Sequence, residues 1–466
     1  MHESLPERRV AATCSTETSI VAEIELLSAY WRRLPEVVEL LTRDLEPRLE
    51  EPGFSPGFAL PELDAQLRAF LAPARARWLR LSAYQGRRLA LLDLATNPAT
   101  HTTKTFASLM IVARAVEFFR RTGRGVLLVS PTSANKGTAL RDAVLRAYDA
   151  GLASPETLRV AVIAPYSCRH KLRTSRLTED PELRRLNPLM LHDGQADEDV
   201  KSLAVAFAEQ CAQQVLVRTG MYPWFSLDLR NYAIADAARA FFEQDTSPAL
   251  PGRAHAHAVS SAFGLLGYHL GRRLLEATGQ AERASRPSSL LVQHLATPDM
   301  VLHLLHGSFD RSGLPRYAPA PGGGWWQDSS PHFPRTTDEL HESIDPTFYT
   351  HRPATSEAMD DIIAHFGGSG IVVSRRECLD RYAELRELVS GLGHDLPSNP
   401  ADLREWSLVM ALTGTLNALD RDLLPQVSEV VIHGSGWYTD REFTAPGFEE
   451  TILVRNTEDM LKAVVG

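Results

Sequence analysis

Lysine is scarce in this chain. Its 466 residues include 44 arginines and five lysines: Lys104, Lys136, Lys171, Lys201 and Lys462. Arginine stays protonated and cannot readily become a neutral amine, so a site that needs a free amine must draw on those five. Cysteine is scarcer still. Cys14, Cys168, Cys211 and Cys378 are scattered, with no Cys-x-x-Cys pair. This argues against a disulfide framework, and the expectation is a reduced, cytoplasmic protein with free thiols. The pairs His255/His257 and His303/His306 lack a matching Cys, Asp or Glu set, so no metal site is expected. There is no run of 18 apolar residues, hence no expected membrane span. Residues 1–9 lack the apolar centre of a signal peptide. A net charge of −9 argues against nucleic-acid partners, which leave a basic footprint. No Gly-x-Gly-x-x-Gly follows a predicted strand and no Walker loop occurs, so a nucleotide-binding reading lacks support.

What is present fits a large globular protein. The chain is 44% hydrophobic and 23% charged, and its length implies two or three domains. Residues 16–48 and 61–86 carry helical apolar spacing, with a Pro-containing break at 52–56 between them. From about residue 100 the pattern alternates. Helices are expected over 105–121, 136–150 and 196–214, and strands over 125–130, 158–164 and 189–192. Residues 312–336, with Pro321-Gly322-Gly323-Gly324-Trp325-Trp326, read as a lid or crossing loop. Strands return at 370–374 and 429–433, the latter after a helix over 402–419. Alternation of this kind predicts an α/β fold with largely parallel sheets flanked by helices.

Three segments carry candidate chemistry. Thr103-Lys104-Thr105 stands at a helix start. Thr132-Ser133-Ala134-Asn135-Lys136-Gly137 links a strand to a helix, whose N-terminus offers backbone N–H groups to an anion. His433-Gly434-Ser435-Gly436 ends a late strand, where glycine lets the backbone approach a flat ligand. In this order and spacing the chain resembles the fold-type-II pyridoxal-phosphate (PLP) enzymes, the tryptophan-synthase-β, cysteine-synthase and threonine-synthase group. Thr103-Lys104-Thr105 is similar to that family's PLP-lysine segment. The 132–137 segment is similar to its Thr-Ser-Gly-Asn-Thr-Gly loop. Ser289-Leu290-Leu291-Val292-Gln293-His294-Leu295-Ala296-Thr297 resembles its strand leading to the phosphate loop. The resemblance covers roughly residues 95–440.

The resemblance implies roles residue by residue. Lys104 would bind PLP covalently and then act as acid and base on an amino-acid substrate. Asn135 would hydrogen-bond the ring oxygen. Thr132, Ser133 and backbone N–H groups near Gly137 would hold the substrate carboxylate. His433 or Ser435 would face the pyridine nitrogen, and Thr297 with a following helix N-terminus would take the phosphate. The phosphate segment departs from the family by lacking glycine. Lys136 replaces a small polar residue, and with Arg169-His170-Lys171 it implies a substrate with a second anionic group; both also read as solvated helix-start and turn residues. The expected division is 1–105 and 251–466 for the larger domain and 106–250 for the smaller, in a homodimer. The expected reaction is replacement at the β or γ carbon through an unsaturated imine. Elimination by a lyase or deaminase, and a PLP-fold scaffold without chemistry, are the alternatives.

Overall fold

The structure of the protein, a computed structural model, describes residues 18–44, 53–194, 199–225 and 230–466 apart from 392 and 394. Residues 1–9 and Cys14 lie outside that set.

Two sheets organise the chain. One has five parallel strands, in the spatial order Ile452–Val454, Leu189–His192, Leu158–Pro165, Gly125–Pro131, Met221–Phe225. Strands covered on both faces read as continuous apolar runs, and Val126, Leu127, Leu128 and Val129 are all buried. The other has seven strands. Ser19–Glu25, Arg75–Tyr84 and Arg87–Asp93 pair antiparallel at one edge. Glu429–Gly434, Arg253–Ala258, Ser288–His294 and Gly368–Val373 then continue it in parallel. One hydrophobic cluster runs between the sheets, taking in Trp78, Met110, Val126, Leu140 and Phe241. Separate clusters cover the outer faces. The expected architecture of largely parallel sheets flanked by helices is thus present.

Several elements differ from the sequence expectation. Within 16–48, Ser19–Glu25 is a strand, and helix begins at Leu26. Ile20 and Ile24 satisfy strand alternation as well as helical spacing, and pairing with Arg75–Tyr84 decides the outcome. Within 61–86 only Ala65–Leu71 is helical. The strands Arg75–Tyr84 and Arg87–Asp93 form a hairpin through Gln85 and Gly86, at φ 48° and 75°. Two positive-φ residues at a two-residue turn match the right-handed strand twist. The 312–336 segment holds parts of a small three-stranded sheet, Ala318–Pro319, Trp325–Trp326 and Thr336–Thr337. The C-terminal strand Ile452–Val454 and helix Thr457–Val465 join the five-stranded sheet, against the helix Asp199–Thr219. A division that assigns all of 251–466 to the other unit therefore omits this return. Among the described residues no helix is long and apolar enough to cross a membrane.

The helices Arg230–Thr246 and Phe263–Ala277 pack closely at Gly267 and Gly271. A Cβ on Gly271 would stand 2.3 Å from the Ala237 carbonyl oxygen. Gly271→Ala is expected to destabilise the protein by about 1–3 kcal/mol through overpacking. Denaturant unfolding of the variant against wild type checks this.

Candidate active site

A cavity of about 310 Å³ opens between the two sheets, at the ends of their parallel strands. That position is where open α/β folds place ligands. Lys104, Thr132, Ser133, Asn135, Lys136 and Ser435 all line it.

Lys104 begins the helix Lys104–Thr122. Its approach is fixed by Asn97, a residue the sequence reading did not single out. Asn97 Oδ1 accepts from the backbone N–H of Thr100 (3.0 Å) and His101 (2.8 Å), and its Nδ2 donates to Thr102 O at 2.8 Å. Thr103 N then donates to Ser435 O at 2.8 Å, and Thr102 bridges to Gly436. These bonds set Lys104 beside the end of the strand Glu429–Gly434. The Lys104 amine stands 5.3 Å from the Tyr232 ring centroid. Burial lowers its pKa, with the nearby charges of Asp236 and Glu405 opposing. A larger fraction of neutral amine results.

The 132–137 loop is folded by its own threonine. Thr132 Oγ1 accepts from Ala134 N (3.1 Å) and Gly137 N (2.9 Å). Gly137 does not line the cavity. A Cβ there would meet Thr132 Cγ2 at 2.6 Å and Val162 Cγ1 at 2.8 Å, so glycine is required for packing. Ala134 sits at φ 109°, a region L-residues rarely enter, in the place where the resembled family has glycine. Asn135 Nδ2 donates to Glu405 Oε2 at 2.5 Å, and its Oδ1 accepts from the Tyr438 hydroxyl at 2.7 Å. One amide N–H and one lone pair on its oxygen are left for a ligand.

Behind Asn135 lies a buried ionic cluster. Lys171 Nζ donates to Asp345 Oδ1 at 2.9 Å and stands 3.6 Å from Glu405 Oε2. Ser407 donates to Glu405, and Trp406 N donates to Asp345 Oδ2 at 2.9 Å. Burial and the charge of Asp345 raise the Glu405 carboxyl. For Lys171, burial is outweighed by the attraction of Asp345, so its ammonium is held protonated.

His433 and Thr297 are not brought to the cavity. His433 is fully buried beneath it. Its Nε2 is 2.7 Å from His255 Nδ1, and its Nδ1 is 3.2 Å from Arg239 Nη1. Burial and the neighbouring His255 push its pKa well below the ordinary value, keeping it neutral. Ser435, two residues on, is the one at the cavity wall. Thr297 is buried with its hydroxyl donating to Phe348 O at 2.8 Å. The segment that does reach the cavity is Ser260-Ser261-Ala262-Phe263-Gly264, after the strand Arg253–Ala258 and at the start of the helix Phe263–Ala277. Ala262 holds the turn at φ 50°. Arg239 packs against Gly264, where a Cβ would lie 2.9 Å from its guanidinium. The guanidinium also donates to Thr103 Oγ1 at 2.7 Å and pairs with Asp236 at 2.6 Å. The strand–serines–helix order was a signal in the sequence, but the Arg-Ala-His-Ala-His-Ala strand hides it, since alternating alanine and histidine is weak strand patterning.

The Lys171 cluster generates one expectation. Lys171→Met leaves two buried carboxyls without their cation, which is expected to cost about 3–5 kcal/mol. Asp345 is held below its ordinary pKa in the folded protein; burial opposes this, and the Lys171 charge outweighs it. Its stabilising contribution is therefore present above the unfolded pKa and lost as pH falls. The wild-type advantage over Lys171→Met should shrink as pH drops through the carboxyl range. Paired denaturant titrations from neutral to acid pH measure it.

Comparison places this geometry among known folds. Threonine synthase from Escherichia coli superposes with a TM-score of 0.51 at 11% identity, over 94% of this chain and 87% of that one. PLP-bound threonine synthase from Brucella melitensis gives 0.49 at 10% identity, over 82% and 80%. O-acetylserine-dependent cystathionine β-synthase from Helicobacter pylori gives 0.44 at 14% identity, over 83% and 99%. No curated protein sequence matches the chain. The fold is that of the fold-type-II PLP enzymes. A sequence profile described as a family of unknown function, DUF6002, matches residues 22–466, and the chain belongs to that family.

Proposed function

We propose that the protein is a PLP-dependent enzyme that acts on an amino acid, with Lys104 as the lysine that holds the cofactor. The observation that carries this reading is Lys104 itself, an amine of lowered pKa at the wall of a cavity of about 310 Å³. The surrounding groups fit PLP. Ser260, Ser261 and the N-terminus of the helix Phe263–Ala277 offer hydroxyl and backbone N–H donors to a phosphate, with Arg239 adjacent. Ser435 offers a neutral hydroxyl to a ring nitrogen, and Asn135 an amide N–H to a ring oxygen. When bound, PLP supplies electron withdrawal that acidifies the substrate α-proton.

The chain's own residues supply the rest. Ser133 and Thr132 stand where a substrate carboxylate would meet the first turn of the helix Asn135–Asp149. Lys104 Nζ takes up the α-proton and delivers it to a leaving group. We infer replacement at the β or γ carbon as the reaction class, in line with the sequence resemblance. Borohydride treatment of the PLP-loaded protein, followed by peptide mapping, is expected to find the pyridoxyl group on Lys104, and Lys104→Ala to lose visible absorbance. An adduct on Lys136 would overturn the assignment.

The substrate carries a second anionic group in this reading. Lys136 is buried at the cavity wall, and Lys201, on the helix Asp199–Thr219, reaches the same space. A lysine in the first helical turn opposes the helix dipole, a cost that recognition of an anion would offset. Lys136→Met is expected to lower kcat/KM about 10-fold or more on a substrate with a side-chain anion, the worth of one charge-assisted hydrogen bond, and to spare a neutral analogue. Equal losses on both substrates would remove Lys136 from recognition.

A further inference from the structure

A second cavity, of about 340 Å³, shares no lining residue with the first. Thr138 and Arg141 of the helix Asn135–Asp149 line it, with Ala99, Arg173 and Phe443. Arg141 is 3% exposed. Its Nη1 donates to Asn187 O at 2.6 Å, but its Nε and Nη2 are buried without a hydrogen-bond partner. Among the described residues no carboxylate pairs with it. Burial lowers its pKa to about 10, and only Tyr148 acts in the other direction. A buried cation with no counter-charge is costly, and so is each unpaired N–H.

The neighbouring groups do not relieve this. Asp142 also lines the cavity, but its carboxylate accepts from Arg146 Nε at 2.7 Å. Glu442 accepts from Thr439 N at 2.5 Å. Arg173 adds a second positive charge, which the carboxylates of Glu442 and Asp142 face, leaving Arg141 as the cation they do not pair. Its N–H groups donate to Ala99 O (2.5 Å) and Thr100 O (3.0 Å), and its guanidinium lies 4.5 Å from the ring centroids of Tyr438 and Phe443. Thr138 Oγ1 is buried without a partner.

We propose that this cavity binds a small oxyanion, a carboxylate or phosphate group, held by Arg141 and Thr138 in the field of Arg173. A planar guanidinium with Nε and Nη2 unpaired suits either oxyanion. The occupant would adjoin both elements that present the Lys104 cavity. Thr138 lies three residues after Asn135 on one helix, and Arg173 holds the carbonyls of Ala99 and Thr100 in the segment that leads to Lys104. Binding here steadies that approach without touching the first cavity.

Calorimetric titration of the purified, PLP-saturated full chain tests this, with inorganic phosphate and acetate as probes and chloride holding ionic strength constant. Saturable binding of one probe with Kd near or below about 1 mM is expected. Arg141→Met should weaken it about 10- to 100-fold, as loss of a charge-assisted hydrogen bond does. Thr138→Val should weaken it less. If Arg141→Met fails to fold, Thr138→Val and Arg141→Lys carry the comparison. No saturable binding of either probe, or binding that the Arg141 and Thr138 variants leave unaltered, overturns the proposal. The outcome is separable from the PLP assignment: Arg141-dependent binding in a protein that takes up no PLP sinks only the latter.

Discussion

The buried cluster of Lys171, Asp345, Glu405, Asn135 and Tyr438 is the constraint on which the site depends. Lys171 and Asn135 follow strands of the five-stranded sheet, while Glu405 and Tyr438 belong to the short antiparallel pair Leu403–Glu405 and Tyr438–Thr439 beyond the seven-stranded one. Two carboxylates and one ammonium inside a protein are tolerated only with close geometry and full hydrogen bonding. Here both Asp345 oxygens accept backbone N–H groups, from Thr347 and Trp406, and Glu405 accepts from Asn135 and Ser407. The arrangement fixes Asn135 at the cavity wall and joins the two sheets through polar contacts where the shared hydrophobic cluster ends.

A second polar layer underlies the cavity. His257 lines the cavity, and His433 and His255 continue below it to Glu243, which also accepts from the Tyr268 hydroxyl. Burial and the charge of Arg239 push His257 down to about 3, so the layer presents neutral imidazoles. Arg239 packs against the 260–264 turn, with Asp236 as its counter-charge.

Three of the six non-glycine residues at positive φ among the described residues lie in the same region. His101, Ala134 and Ala262 each take positive φ without being glycine, and each lies within three residues of Lys104, Asn135 or Gly264. Such conformations cost about 1–3 kcal/mol each and persist only where surrounding contacts hold them. For His101 that hold is Asn97, and for Ala134 it is the Thr132 hydroxyl. Such turns at the ends of parallel strands fix short side chains around the cavity.

The sequence by itself determined the parallel sheets and the neighbourhood of Lys104, because both are local signals. Short apolar runs at 126–129 and 160–164, each bounded by turn signals, read as buried strands, and the scarcity of lysine narrows the amine candidates to a few, Lys104 among them. It also identified Asn135, Lys136 and Ser435 at the cavity wall. Only the tertiary structure decided the remainder. The strand Ser19–Glu25 needed Arg75–Tyr84 as its partner, since Ile20 and Ile24 fit two periodicities equally. His433 lies within the strand, held by His255 and Arg239, whereas Ser435 lies just past its end and reaches the cavity wall. Ser260 and Ser261 reach the cavity of Lys104 and Thr297 does not, because the order of strands across the seven-stranded sheet, not order along the chain, sets which loop lies there. The pairing of Lys171 with Asp345, 174 positions apart, has no local signature at all. Long-range electrostatics is legible only once the chain has folded.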